Sequence, residues 1–178
     1  MNDNHREAKQ RYLVCHDYGM GGLWWWVWAR SAAEIVHTCA EVEVVTDPDR
    51  ISIVERWSLD EVDLDALPPG PLADLRSQRE QQRREPGFGR LAGKQRVYLR
   101  FPPAPDDGAI FLSEHAPDGR RLRQVEQHPD GVAIRTDHND WPLNPPFDLL
   151  DPQYAGMEIS QAQFEEAWGR ARPTGGES

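Results

Sequence analysis

An α+β fold, with antiparallel sheets and helices packed on one face, is what the sequence predicts, and three observations predict it. Strand-like stretches are joined by links too short for a crossover, as at Pro117-Asp118-Gly119 and Pro129-Asp130-Gly131, so neighbouring strands must run antiparallel. Two patterns, Ser31-Ala32-Ala33-Glu34 and Ser160-Gln161-Ala162-Gln163, match capping boxes and mark helix starts. The elements follow in the order β-β-α-β-α, a polar helix, then β-β-β-β-α, and with short links between strands this order fits the α+β class.

Arg11 to Asp17 reads as a strand, Gly19-Met20-Gly21-Gly22 as a turn and Leu23 to Ala29 as the returning strand of a hairpin. Ser31 opens a helix to Ala40 that buries Ala32, Ile35, Val36 and Cys39 on one stripe. Val42 to Val45 is a short strand. Asp47-Pro48 sets a cap residue before a first-turn proline, which predicts a helix to Trp57. Asp60 to Asp65 is acidic and weakly patterned, and Pro68-Pro69-Gly70-Pro71 closes this half. Leu72 to Arg84 is a polar, arginine-rich helix with few apolar anchors beyond Leu72 and Leu75, marginal without packing and therefore read as a linker.

Arg96 to Phe101 alternates like a strand, and Pro102 to Gly108 is a loop. Ala109 to His115, Arg120 to Gln127 and Gly131 to Arg135 form a meander. Asp137 to Gln153 is irregular, with Trp141, Leu143 and Phe147 as anchors. The final helix runs to Ala171 on a stripe of Phe164, Ala167 and Trp168, and Pro173 to Ser178 is expected to be an unstructured tail. The expected organisation is a hairpin and helix unit over 1–70, a polar linker over 71–90 and a meander with a final helix over 91–178.

Composition narrows the functional classes. The 178 residues are 38% hydrophobic and 28% charged, with a formal net charge of −10. No apolar run approaches the ~18 residues of a membrane span, and Met1 to Glu7 lacks an apolar signal segment, so a cytoplasmic protein is expected. Cys15 and Cys39 cannot build a disulfide framework, which agrees with a reducing compartment. The acidic balance opposes direct nucleic-acid binding, which needs clustered cations. Charge is uneven along the chain. Residues 41–75 carry ten acids against Arg50 and Arg56, whereas 76–100 carry eight bases against Glu80 and Glu85. A basic helix docked beside acidic neighbours accounts for this pattern, and a patch for an anionic partner is its competitor.

The run Leu23-Trp24-Trp25-Trp26-Val27-Trp28 is the most unusual feature. In a strand Trp24, Trp26 and Trp28 share one face, while Leu23, Trp25 and Val27 share the other. Either helices or a second sheet cover both faces, or the Trp24/Trp26/Trp28 ladder stays open as a binding surface, since an exposed apolar ladder marks an interface. Its polar border is His16, Asp17 and Tyr18, and these six residues form the candidate binding site.

No catalytic residue, metal set or cofactor motif stands out. His16 and Asp17 point to opposite faces of a strand, and Asp137-His138-Asn139-Asp140 lacks the spacing of a calcium loop or zinc helix. Cys15 lies in an apolar strand, and the glycines after it lead into another strand, with no helix start to hold phosphate.

Tyr12 to Asp47, with its core His16 to Trp26, resembles uncharacterised actinobacterial proteins of similar length. The stretch from Leu112 through Gly119, Arg123 to Glu126, Asp130-Gly131 and Glu158 to Trp168 is similar to a small bacterial domain of unknown function with a strand meander and a final helix. The resemblance implies company, without catalytic residues. Small acidic proteins of this kind are associated with immunity and antitoxin roles. The first expectation is therefore a non-enzymatic, acidic protein-binding module that inhibits a basic partner. The alternative is a small-molecule enzyme or ligand-binding protein with a tryptophan-lined pocket.

Overall fold

The structure is a computed structural model that describes residues 8–17, 21–141 and 143–174. Met1–Arg84 and Glu85–Ser178 form two compact units. In the first, strands β1 (Gln10–Asp17) and β2 (Gly22–Ala29) make the predicted hairpin, paired from Gln10↔Ala29 to Asp17↔Gly22. Gly19 and Met20 of its expected turn lie outside the described residues. Strand β3 (Glu43–Val45) runs antiparallel to β1, and β4 (Asp60–Asp63) runs parallel to β2, giving the order β3-β1-β2-β4. The sheet is thus mixed, not antiparallel as expected, and β4 is a strand where the sequence shows only acidic loop. One half-buried side chain, Val62, is its apolar signature.

Three helices pack on this sheet, on both faces and not on one. Helix α1 (Ala32–Thr38) starts at Ser31, whose hydroxyl accepts from the Glu34 N–H at 3.1 Å. Glu34 does not close the box on Ser31; its carboxylate accepts from the Arg30 N–H at 2.7 Å. Helix α2 (Pro48–Val54) is capped by Asp47, with Pro48 in the first turn, and stops short of Trp57. Strand alternation sorts the contacts. Val14, Trp25 and Val27 meet Ile35 and Cys39 from the α1 segment and Leu72 and Leu75 on one face, while Leu13, Cys15 and Trp26 meet Val45 and Val54 on the other.

Helix α3 (Pro71–Gln82) is the arginine-rich helix, and it packs within the first unit instead of linking two others. Leu72 and Leu75 supply too little apolar area to hold it alone. Arg79 supplies the rest. Its side chain is 1% exposed, and its Nη2 donates to the carbonyls of Val36 at 3.1 Å and Cys39 at 3.2 Å, where α1 ends. Its Nη1 donates to Gln82 at 2.8 Å. A guanidinium there satisfies carbonyls that the helix terminus leaves open and answers its partial negative charge. Arg83 adds a bond to the His37 carbonyl at 2.6 Å. Arg79 and Arg83 of the basic block are therefore docked within this unit, which extends to Arg84 past the expected boundary at residue 70.

In the second unit, β5 (Val97–Arg100), β6 (Ile110–His115), β7 (Arg121–Gln127) and β8 (Ala133–Asp137) form the expected antiparallel meander. Its two tight turns end at Gly119 (φ +87°) and Gly131 (φ +89°), in the left-handed region that glycine tolerates. Helix α4 (Gln161–Arg170) carries the full capping box and buries Phe164 and Ala167 against Tyr98, Leu112 and Val125. Strand β9 (Arg172–Pro173) then pairs parallel to β8, so part of the expected tail is ordered, and this sheet is mixed as well. Residues 175–178 of that tail lie outside the described residues.

The opposite face of the second sheet is covered by Leu91, Leu149 and the side chains of Phe147, Tyr154 and Met157, the last two from a short 3₁₀-helix, Pro152–Met157. Of the three expected anchors in the proline-rich segment, Phe147 packs on His115, and Trp141 stacks on Arg121 at 4.0 Å. Leu143 does not anchor, being 77% exposed. Fully buried His115 bridges Ser113 at 2.7 Å and the Gly119 carbonyl at 3.0 Å. At Gly119 a Cβ would lie 2.0 Å from the Phe147 carbonyl oxygen, so the turn and the segment that covers it are built around that glycine.

Two predictions test these locks. Arg79→Met leaves the Val36 and Cys39 carbonyls without their donor and costs about 3 kcal/mol, read by urea unfolding with tryptophan fluorescence. His115 is held neutral by burial, which pushes it down to about 4 from 6.5. Between those values the unfolded chain binds a proton that the folded chain excludes, so stability rises with pH across the window and is lost on acidification. The full traverse corresponds to about 3 kcal/mol, read as hydrogen-exchange protection of β6 and β7 amides from pH 7 to pH 4, and His115→Gln flattens it.

Candidate functional site

The register of the hairpin decides which candidate residues meet. Cross-strand pairs share a face, so Cys15↔Trp24, Leu13↔Trp26 and Arg11↔Trp28 lie on the α2 side, together with Asp17. His16 pairs with Leu23 on the other side. There its Nδ1 lies 2.9 Å from the carbonyl oxygen of Glu41, a residue held at φ +54° just after α1. His16 is thus a tie between β1 and the α1–β3 connection and does not border the tryptophan ladder. Tyr18 lies outside the described residues.

The ladder itself divides. Trp26 is 7% exposed, covered by the Val54 face of α2 and by Arg11, whose guanidinium lies 4.2 Å from the ring centroid. Trp24 is half-buried, edge-on to Trp57 with ring centroids 5.9 Å apart and with Arg50 at 5.3 Å. Trp28 remains 37% exposed, and its indole N–H donates to Glu61 Oε1 at 2.5 Å. Trp57, 48% exposed, and Ile53 add apolar surface on the same side of the sheet. Of the four indoles in β2, Trp25 and Trp26 are core, while Trp24 and Trp28 reach the boundary.

Beside Trp28 stands the feature that the sequence does not disclose. Strand β4 pairs with β2 on one side only, and among the described residues no strand pairs with its other side. Glu61 and Asp63 share the Trp26/Trp28 face, and Asp60 and Val62 share the Trp25/Val27 face. Mainly on that second face an open cleft of about 340 Å³ is lined by Trp25, Asp60, Val62, Leu67, Leu72 and the Pro68–Pro71 run, with Glu61 reaching it from the other face. Neither His16 nor Asp17 lines it. The cleft is apolar at its floor and acidic at its rim.

Ion pairs define which carboxylates of this region are compensated. Asp63 and Asp65 are bound by Lys9, and Asp65 also by Arg30 at 2.6 Å, and these bonds hold both carboxyls below the usual carboxylate range. Glu61 shares Arg11 with Glu55, at 3.7 and 3.9 Å. Asp60 is exposed and has no ion pair among the described residues.

Burial, reinforced by Glu43 and Asp17, pushes the Cys15 thiol up to about 11, and burial pushes Cys39 to about 11 as well, so both stay protonated and packed. In the 137–140 loop, Asp137 Oδ1 accepts from the Asn139 N–H, and Asp140 accepts from the Asp137 N–H. Those carboxylates serve the turn itself. No family model matches the chain, and no curated protein matches it.

The split of the ladder is testable by stability. Trp26→Ala empties a filled site and lowers unfolding free energy by about 3–4 kcal/mol, whereas Trp28→Ala changes it by under ~1 kcal/mol, both read from denaturant midpoints.

Proposed function

We propose that the protein is a non-enzymatic, acidic protein-binding module that engages a basic protein partner in the cytoplasm, in the manner of an immunity protein or antitoxin, at the open edge of the first sheet. The observation that carries this reading is the edge of β4, flanked by exposed Trp28 on one face and by the acidic-rimmed cleft on the other. An unpaired strand edge offers backbone donors and acceptors to an extended segment, and pockets beside it select the alternating side chains. Trp28 is a rigid aromatic contact of the kind that dominates binding energy at interfaces.

Charge gives the partner its sign. The chain carries a net −10, and Asp60 and Glu61 stand at the docking edge. Carboxylates at that edge raise the encounter rate with a cationic segment and repel an anionic one. The same charges protect the edge from pairing with a second copy of itself, since like charges would meet. Steering and protection thus follow from one arrangement.

A fluorescein-labelled peptide alternating lysine and valine is the direct probe, followed by fluorescence anisotropy. Binding should weaken severalfold from 50 to 200 mM salt, and Asp60→Lys and Trp28→Ala should each weaken it about tenfold without unfolding the chain. Equal binding by both variants, or no binding by the unmodified protein at 50 mM salt, overturns the proposal.

A further inference from the structure

The second unit holds a different cluster, remote in sequence from the hairpin. Asp107, from the loop between β5 and β6, and Glu126 and His128, from the end of β7, bring one ligand atom each within 4.8 Å of one another. Glu126 and His128 are two residues apart on an extended chain and so share a side, and His128 Nε2 lies 3.0 Å from Glu126 Oε1.

Both backbones are fixed. Asp107 Oδ1 accepts from the Ala109 N–H at 2.9 Å, and Ala104 exchanges bonds with Ala109 and Gly108 across the same turn. His128 closes the β7–β8 turn, its N–H donating to Val132 at 2.8 Å and its carbonyl accepting from Gly131 at 3.0 Å. The two turns also abut, since a Cβ built on Gly108 would lie 3.2 Å from the Pro129 ring.

Among the described residues neither Asp107 nor Glu126 pairs with an arginine or lysine, although Glu114 and Glu165 in the same unit share Arg123. Two carboxylates converging on one imidazole leave negative charge that a single histidine proton does not cancel. A divalent ion would cancel it and use all three donors.

We propose that Asp107, Glu126 and His128 form a binding site for a divalent first-row transition cation. One imidazole with two carboxylates is a donor set for zinc or its neighbours more than for magnesium, which prefers oxygen alone and keeps its waters. Bonds of about 2.0–2.2 Å place tetrahedral ligand atoms roughly 3.4 Å apart, so the triangle must contract modestly around an ion. Asp107 still has Oδ2 for the metal while Oδ1 keeps the turn. Three protein ligands leave a fourth position to water or to a donor from a bound molecule.

Zinc alone is the probe, titrated into the full chain against a chromophoric chelator. The expected result is one ion bound in the micromolar range or tighter, weakened at least tenfold in His128→Ala and in Asp107→Asn, and retained in millimolar magnesium. The asparagine keeps an oxygen for the Ala109 N–H, so the loop stays formed, and circular dichroism checks that both variants fold. Zinc bound equally well by both variants, displaced by magnesium, or not bound in the micromolar range overturns the proposal. The peptide experiment on the β4 edge is indifferent to all of these outcomes.

Discussion

Strand β2 is apolar on both faces, and an element with tryptophan on each side must be covered twice. That requirement shapes the first unit. One face takes α1 and α3, and the other takes α2, so a four-stranded sheet becomes the middle layer of three. Near-continuous apolar strands of this type belong inside sheets, and β2 accordingly sits between β1 and β4. Cover on the second face is short. Helix α2 spans Pro48–Val54, and the strand beneath it spans Gly22–Ala29, at more than twice the rise per residue. The seven-residue helix seals Trp26 and leaves Trp28 at the margin. Partial exposure is thus a consequence of unequal element lengths.

Covering the first face raises a second problem, because α3 has too few apolar residues to dock by hydrophobic burial. Arg79 docks it by polar means, inserting a guanidinium among carbonyls that end α1. Burying a charge is costly unless its hydrogen bonds are made, and here the open end of one helix supplies the acceptors for the cation of another. Packing of α3 and termination of α1 are one event. The His115 network does the equivalent in the second unit, with the Gly119 carbonyl holding both an imidazole and the Phe147 N–H.

Much of this was legible in the sequence, for physical reasons that can be named. The hairpin, the meander and the helices at Ser31, Asp47 and Ser160 are fixed by local chemistry: alternation, tight turns and caps that act within four residues. Parity of the strand also foretold that His16 and Asp17 part company. What stayed hidden depends on distant pairing. Asp60-Glu61-Val62-Asp63 has the composition of a loop and becomes a strand only because β2 offers an edge beside it. Arg172–Pro173 is too short to carry any period. Arg79 reads as a solvated residue, since arginine is rarely buried, and only the position of α1 makes its burial favourable. In the candidate site, Trp28 was visible and the division between Trp26 and Trp28 was not, because helix length and not strand pattern decides it.

The charge of −10 gains meaning once carboxylates are separated by what they touch. Some are structural: Glu114 is buried and bonded to Arg123, Asp65 is shared by Lys9 and Arg30, and Asp47, Asp63 and Asp151 cap helices. These are satisfied within the fold and offer little to an approaching cation. Asp60 at an open strand edge, and Asp107 with Glu126 beside an imidazole, differ in that no arginine or lysine answers them among the described residues. A folded chain tolerates such groups only near water, where their repulsion is screened, and it gains stability when a positive group reaches them. The two sites therefore sort by geometry. Along the β4 edge beside Trp28 the proposed complement is an extended cationic chain, and at the point where three donors converge the proposed complement is a single ion.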